Sequence, residues 1–402
     1  MKKHYWRLPE KIDEVLPPAA RQLEILRRQV LDIFHSWGYD YILPPLIEYL
    51  DSLLAGSSRD LELQTFKSVD LLSGRMLGVR PDITCQAARI DANSIPTQGT
   101  QRLCYAGSVM HANPTGVGRT RNPLLAGAEL FGSGVIDADA EILNLMVEVL
   151  HAAKVAAPIV ELGHVGIYRA LIADLSLNAI DERELFDAVQ MKSPGDIEQS
   201  LARIRGDRGR AELLMRLTQQ IGDPSVLAGA RRDLAGAPAG VAAALDDLEV
   251  LLDLIHQNPR GVDIRMDLSE LAGYGYHTGI VFAAYSEQFG RSVARGGRYD
   301  AIGEVYGRAR PATGFDINLK SLAATGLSRE PRTRVPTLAG LSQRQRESLN
   351  EMVNQLRKQG KRVVTQLGDD AFPLEPGDQT VKWLDGEWHI HEIRHESESD
   401  HG

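Results

Sequence analysis

The stretch RLCYAGSVMHANPTGVGRTRNPLLAGAELFG, residues 102–132, holds two strand-like runs joined by a loop containing glycine and arginine. Arg102–Met110 and Leu124–Phe131 each mix apolar with small residues, the pattern of strands buried on at least one face. Between them Asn113, Pro114, Gly116, Gly118 and Asn122 supply turn chemistry, and Arg119 and Arg121 put positive charge at the hairpin tip. Such a loop either closes over an anionic ligand or is an ordinary solvated connection. Glu129 breaks its run. A carboxylate inside an apolar strand costs several kcal/mol to bury unless it is paired, so Glu129 is a ligand contact or half of a buried ion pair.

On the N-terminal side, Pro17 and Pro18 precede AARQLEILRRQVLDIFHSWG, where Leu23, Leu26, Val30, Ile33, Phe34 and Trp37 recur at helical spacing before Gly38. YDYIL reads as a short strand closed by Pro44 and Pro45, and this helix and strand form a plausible dimer surface. Residues 51–70 read as a polar loop and LLSGRMLGVRPDIT as a hairpin and strand. That strand ends at Arg80, Asp82 and Thr84, from which CQAARIDAN continues as a helix. Asp82 and Thr84 suit helix capping, ligand contact or both.

On the C-terminal side, DADAEILNLMVEVLHAA reads as a core helix with Asp137 or Asp139 as N-cap, PIVELGH as a strand, and about 170–257 as an inserted, wholly helical subdomain. Strands resume at VDIRMDLSE, GIVFAAYS and RSVARGG. They are linked by LAGYGYHTG, whose three glycines would let a ligand approach the backbone beside Tyr276 and His277. GGRYD, by itself a weak signal, leads to GFDINLKSLAAT, a strand running into a helix. After Glu330 come one helix and three short strands, a small unit over 335–394, and then a polar tail, 395–402, expected to be disordered. His389, His391 and His395 suit solvated positions better than a metal site.

With 402 residues the chain has room for two or three domains, and a formal net charge of -9 argues against general nucleic-acid affinity. Cys85 and Cys104 are its two cysteines, both in apolar segments and neither in a CxxC pair, which fits buried structural thiols in a reducing cytosol. The basic start is followed by no apolar run, and no stretch approaches the roughly 20 apolar residues that span a bilayer, so a cytoplasmic protein without membrane contact is expected. No Ser-His-Asp spacing, zinc-ligand set or phosphate-cradling GxxxxGK[ST] loop is present, and neither cofactor nor metal is implied.

Taken together, GSVMHANPTGVGRTRNPLLAGAELFG, LAGYGYHTGIVFAAY, ARGGRYD and PATGFDINLKSL resemble the core of histidyl-tRNA synthetases over roughly residues 5–325. The resemblance implies an α+β, class II aminoacyl-tRNA synthetase-like antiparallel sheet flanked by helices. The core would span 1–325, with the helical insertion and the small C-terminal α+β unit as additions. It also implies where the chain departs. The synthetase arginine that grips the ATP α-phosphate aligns with His111, the one that aids attack with Ala272, and the third-signature arginine with Ser321. Losing one such positive group typically costs a factor of about 100 or more, so losing three should abolish adenylate formation. A synthetase glutamine aligns with Leu125, and the C-terminal unit looks like a remnant of an anticodon-binding domain.

The amino-acid side of the pocket remains. By the same resemblance Asp82 and Thr84 would meet a histidine ammonium, Glu129 its polar groups and Tyr276 its imidazole; His277 replaces a tyrosine, and Arg121 is the loop cation. This pattern is similar to the regulatory subunits of short-form ATP phosphoribosyltransferase. That family implies a non-catalytic homodimer that joins a catalytic subunit, is required for its activity, and confers feedback inhibition by free histidine at the first step of histidine biosynthesis, without tRNA. A divergent histidyl-tRNA synthetase and another amino-acid-binding paralogue are the alternatives.

Overall fold

The computed structural model describes residues 7–56, 59–95, 98–113, 120–203, 208–256, 261–271, 273–323, 329–368 and 373–393. Arg119, Ala272, His395 and the 395–402 tail lie outside them. The chain divides into two compact units, Met1–Thr325 and Gly326–Gly402.

The first unit is organised by a nine-stranded sheet in the order Asp40–Tyr41, Gln101–Ser108, Leu124–Phe131, Ala312–Asn318, Ala294–Arg298, Ile280–Tyr285, Ile159–His164, Asp263–Asp267 and Ile221–Gly222. Two pairs are parallel, Asp40–Tyr41 with Gln101–Ser108 and Ile159–His164 with Asp263–Asp267; the rest are antiparallel. The α+β class and the largely antiparallel core agree with the sequence reading.

Strand alternation sorts side chains to two faces. On one face Cys104, Ala106, Ala126, Ala128, Leu130, Phe315 and Ile317 join a single buried cluster. The cluster includes Leu26, Val30 and Phe34 of the Ala19–Ser36 helix and Ile142, Leu145, Met146 and Val149 of the Ile136–Ala152 helix. Phe34 meets Phe315 edge to face, with ring centroids 6.0 Å apart. Full burial of each large apolar side chain contributes about 1.5–3 kcal/mol, so these helices fix the sheet from one side. The other face is left for different chemistry.

Several expectations need correction. Residues 51–70 are not a loop: they contain helices Leu50–Leu53 and Arg59–Gln64 and the strand Phe66–Val69. That strand pairs with Met76–Val79, which pairs with Ile47–Tyr49, in a separate three-stranded sheet. Polar side chains hid this strand because one of its faces meets solvent. YDYIL contributes only Asp40–Tyr41 to the large sheet. Among the described residues of the insertion the one strand is Ile221–Gly222, which edges that sheet by pairing with Asp267 and Met266. The helix placed after Asp137 starts at Ile136 with Val135 as N-cap, and Asp139 is instead fully buried against Arg298.

The second unit has four strands rather than three, in the order Arg362–Thr365, Arg332–Val335, Gln379–Leu384 and Glu387–Glu392. The strand missed by the sequence reading, Arg332–Val335, is central and parallel to both its neighbours. The Gln343–Lys358 helix packs Leu349 and Val353 against Val335, Val381 and Trp388, and a capping box between Ser342 and Gln345 fixes its start.

Candidate functional site

The free face of the large sheet is shaped by its register. Arg295, Asp316, Gly127 and Tyr105 lie side by side across four strands, and Gly297, Gly314, Glu129 and Leu103 form the next row on the same face. Three of these eight positions are glycine, and the hollow they leave is filled by polar groups. A β-carbon on Gly314 would collide with the Glu129 carboxylate, and one on Gly127 would meet the Tyr105 hydroxyl at 2.5 Å. On Gly297 it would sit 3.0 Å from His277 Nδ1.

Glu129 is 1% exposed and stands at the centre of this face. Its Oε1 accepts hydrogen bonds from Thr84 Oγ1 at 2.9 Å and from the Tyr105 hydroxyl at 3.0 Å, and its Oε2 accepts one from the Tyr299 hydroxyl. Among the described residues no cation pairs with it. The alternative of a buried ion pair is therefore not realised, and three hydroxyl donors take its place. Burial pushes the Glu129 carboxyl up to about 8, against the opposing effect of those donors and with a further upward push from Asp82. A carboxyl tuned to this range either donates to a neutral base or accepts from a cation.

One wall is the turn that carries Tyr276 and His277. Gly273 has φ +72°, a left-handed backbone that favours glycine, and a β-carbon there would strike the His277 ring. The Tyr276 and His277 rings lie 4.2 Å apart, with Tyr299 6.4 Å from the first and 6.5 Å from the second. His277 Nδ1 is 3.2 Å from the Arg298 carbonyl oxygen, and a carbonyl only accepts, so the proton resides on Nδ1. Burial lowers this imidazole to about 4, which keeps it neutral at ordinary pH. Arg169 fastens the turn from outside, donating to the carbonyls of Tyr274 at 2.8 Å and His277 at 2.9 Å.

A second wall is the start of the Thr84–Asn93 helix. Asp82 Oδ1 accepts from the Ile83 and Thr84 backbone N–H groups, but the N-cap position is Ile83 and no side chain caps the helix, so the capping expected of Asp82 and Thr84 is not realised. Arg80 is structural: it donates to the carbonyls of Ser108 at 2.9 Å and Pro44 at 2.8 Å. Thus Asp82, Thr84, Glu129, Tyr276 and His277 gather around one hollow. Arg121 is placed differently. Its Nε donates to the His111 carbonyl at 3.1 Å and its guanidinium lies over the Phe66 ring at 4.7 Å.

One row away on the same face, a cleft is lined by His111, Leu125, Arg291, Arg295, Asp316 and Ser321, among others. Two of the positions expected to carry phosphate-gripping arginines, His111 and Ser321, therefore do face one cleft. His111 Nε2 lies 2.9 Å from the Pro81 carbonyl oxygen, and Ser321 Oγ accepts from Arg291 at 2.9 Å. Lys320 is turned to Asp13 at 3.5 Å. The sequence reading missed Tyr105, Tyr299, Arg295 and Asp316. All four lie in stretches quoted above, but only the strand register brings them onto one face with Glu129.

Comparisons with known proteins identify the family and the fold. A family model described as histidyl-tRNA synthetase matches residues 11–322. The chain is 46% identical over 372 residues to an ATP phosphoribosyltransferase regulatory subunit of Thioalkalivibrio sulfidiphilus, covering 92% of this chain and 94% of that one. It is 45% identical over 390 residues to one from Pseudomonas aeruginosa, covering 96% and 97%. Among solved structures it is similar to an ATP phosphoribosyltransferase regulatory subunit/histidyl-tRNA synthetase from Bacillus halodurans, with a TM-score of 0.79, 26% identity and coverage of 91% and 94%. It shares its fold with a histidyl-tRNA synthetase from Nostoc, TM-score 0.72 at 14% identity over 96% of each chain.

Proposed function

The chain belongs to the family of ATP phosphoribosyltransferase regulatory subunits, and on that premise we propose that it binds free histidine in the hollow around Glu129 and conveys its occupancy to a separate short-form catalytic subunit. The observation that carries this reading is a buried carboxyl held by three hydroxyls beside a cleft whose expected phosphate-binding positions are His111 and Ser321. Phosphoryl chemistry needs cations where charge develops, and at these two positions a histidine whose Nε2 donates to the Pro81 carbonyl and a serine stand in place of guanidinium forks. Recognition of an imidazole needs what is present. Glu129 either donates to a neutral ring nitrogen or accepts from an imidazolium, and Tyr276 offers a ring face.

In this proposal the protein has no catalytic residues of its own. The partner subunit holds ATP and phosphoribosyl pyrophosphate, needs this chain for activity, and is inhibited when histidine occupies it, so that the first step of histidine biosynthesis is controlled in the cytoplasm by its end product. A homodimer of the synthetase-like unit carries the catalytic subunits and engages no tRNA. Histidine acts by linkage: it binds one conformation of the assembly more tightly, with a coupling of about 1–3 kcal/mol.

The test is phosphoribosyl-ATP formation by a short-form catalytic subunit, with and without this protein, over a histidine titration. Activity should appear on adding the chain and fall with histidine. Glu129→Ala should shift the inhibitory histidine concentration upward by roughly tenfold or more while changing the affinity of assembly far less. Histidine sensitivity unaltered by Glu129→Ala would place the effector elsewhere. Histidine-dependent exchange of pyrophosphate into ATP is expected to be absent, and its presence would make the chain an active synthetase.

A further inference from the structure

Arg295 is a cation on the free face of the sheet, paired with Asp316 at a distance too long for a hydrogen bond. It sits on the Ala294–Arg298 strand directly opposite Asp316, one row from Glu129, and its side chain is 58% exposed at the cleft. Its Nε is 3.8 Å from Asp316 Oδ2, an ion pair beyond hydrogen-bond distance, so its donors are uncommitted among the described residues. Arg298, three residues on, differs in every respect. It faces the opposite side of the sheet, 7% exposed, and is fully occupied by Asp139, Asp300 and the carbonyls of Ser133 and Val135.

The charges around the cleft describe a zwitterion. The Asp316 carboxylate stands directly opposite Arg295, and Asp82 at the start of the neighbouring helix adds a weaker charge that also raises its pKa. A triphosphate is poorly matched to the immediate surroundings of Arg295, because the Asp316 carboxylate stands directly opposite it and Arg291, the other guanidinium of the cleft, donates to Ser321. A single carboxylate beside a single ammonium is well matched: the guanidinium fork receives the first and the carboxylates receive the second. The adjacent row of the same face carries Glu129, whose carboxyl would meet the side chain of such a ligand.

We propose that Arg295 receives the α-carboxylate of the bound amino acid, with Asp316 and Asp82 facing its ammonium, so that the protein reads its effector as a free amino acid rather than an ester, amide or alcohol. This rests on the assignment of the Glu129 hollow as the histidine pocket and adds a specificity determinant to it. It also gives the cleft a use other than nucleotide binding.

The test is calorimetric titration of the full chain with histidine and with histidinol, which carries a hydroxymethyl group in place of the carboxylate. The wild type should prefer histidine roughly 10- to 100-fold, the worth of a charge-assisted contact. Arg295→Gln should weaken histidine by that factor, leave histidinol nearly unchanged, and so erase the preference; Arg295→Lys should restore part of it. Glu129→Gln should weaken both ligands alike. If Arg295→Gln keeps the preference while Glu129→Gln weakens both, the role given to Arg295 is wrong and the pocket stands. If the wild type binds neither ligand, or Glu129→Gln changes nothing, the pocket assignment fails and this proposal with it. Because Arg295 is more than half exposed, thermal melts of its variants should match the wild type.

Discussion

At the scale of the residue, the pH response of the protein should centre on Glu129 and His277. The Glu129 carboxyl lies at about 8 in the folded chain against 4.5 for an ordinary glutamate, so the folded state holds a proton that the unfolded state releases. The sign follows from linkage. The contribution of Glu129 to stability is fully present below about 4.5, is lost as pH rises, and reaches its floor above about 8. His277 acts in the other direction: its imidazole lies at about 4 against 6.5, so its contribution is present above 6.5 and is lost as pH falls toward 4. Glu129→Gln keeps the shape and removes the titration. Urea denaturation from pH 5 to 9 should show the variant gaining on the wild type by roughly 1 kcal/mol for each pH unit until about pH 8, then running parallel. Parallel curves over the whole range would mean that Glu129 is already ionised in the fold.

At the scale of the element, the hollow depends on glycine in the middle of strands, where glycine is ordinarily a weakness. Gly314 is the clearest case, since a methyl group there occupies the space of the Glu129 carboxylate. Gly314→Ala should destabilise by about 1–3 kcal/mol, the usual cost of overpacking. The Ala128 carbonyl oxygen 2.8 Å away sets part of that cost, so relief should be partial when Glu129 is shortened. Glu129→Ala combined with Gly314→Ala should cost less than the sum of the single changes, by more than about 0.5 kcal/mol, and additivity would show that the two do not share the space.

The same elements show what could be read in advance. The Ala19–Ser36 helix and the Leu124–Phe131 strand were legible because each is long enough to display its period and bury one side of it. Glu129 was legible because it violates that period. Two-residue strands such as Ile221–Gly222 carry no period, and Phe66–Val69 was masked by its solvent face. Tyr105 and Arg295 became part of the site only through pairing of strands distant in sequence, which no local pattern encodes.

At the scale of the molecule, the three-stranded sheet formed by Ile47–Tyr49, Phe66–Val69 and Met76–Val79 is incomplete as a layer. One face is covered: a β-carbon on Gly78 would touch Leu50 and Leu53, so the short helix packs there. The alternate positions place Ile47 at 50% and Tyr49 at 37% exposure on the other face. Beside it, Tyr41 on an edge strand of the large sheet and Leu43 in the segment that follows are exposed as well. Apolar side chains grouped at a sheet edge favour association, and a second copy of this chain presents the same surface, as a twofold interface requires. We therefore expect a homodimer through this face, close to the helix and strand first suspected from sequence. Sedimentation equilibrium should give twice the 44.2 kDa chain mass for the wild type and mainly monomer for Ile47→Glu, because a charge placed in a desolvated interface costs several kcal/mol. The hollow around Glu129 is built within one chain, so histidine should still bind the monomeric variant in calorimetry. A dimer that survives Ile47→Glu would move the interface elsewhere, and loss of histidine binding with the dimer intact would mean that this sheet supports the pocket rather than the partner.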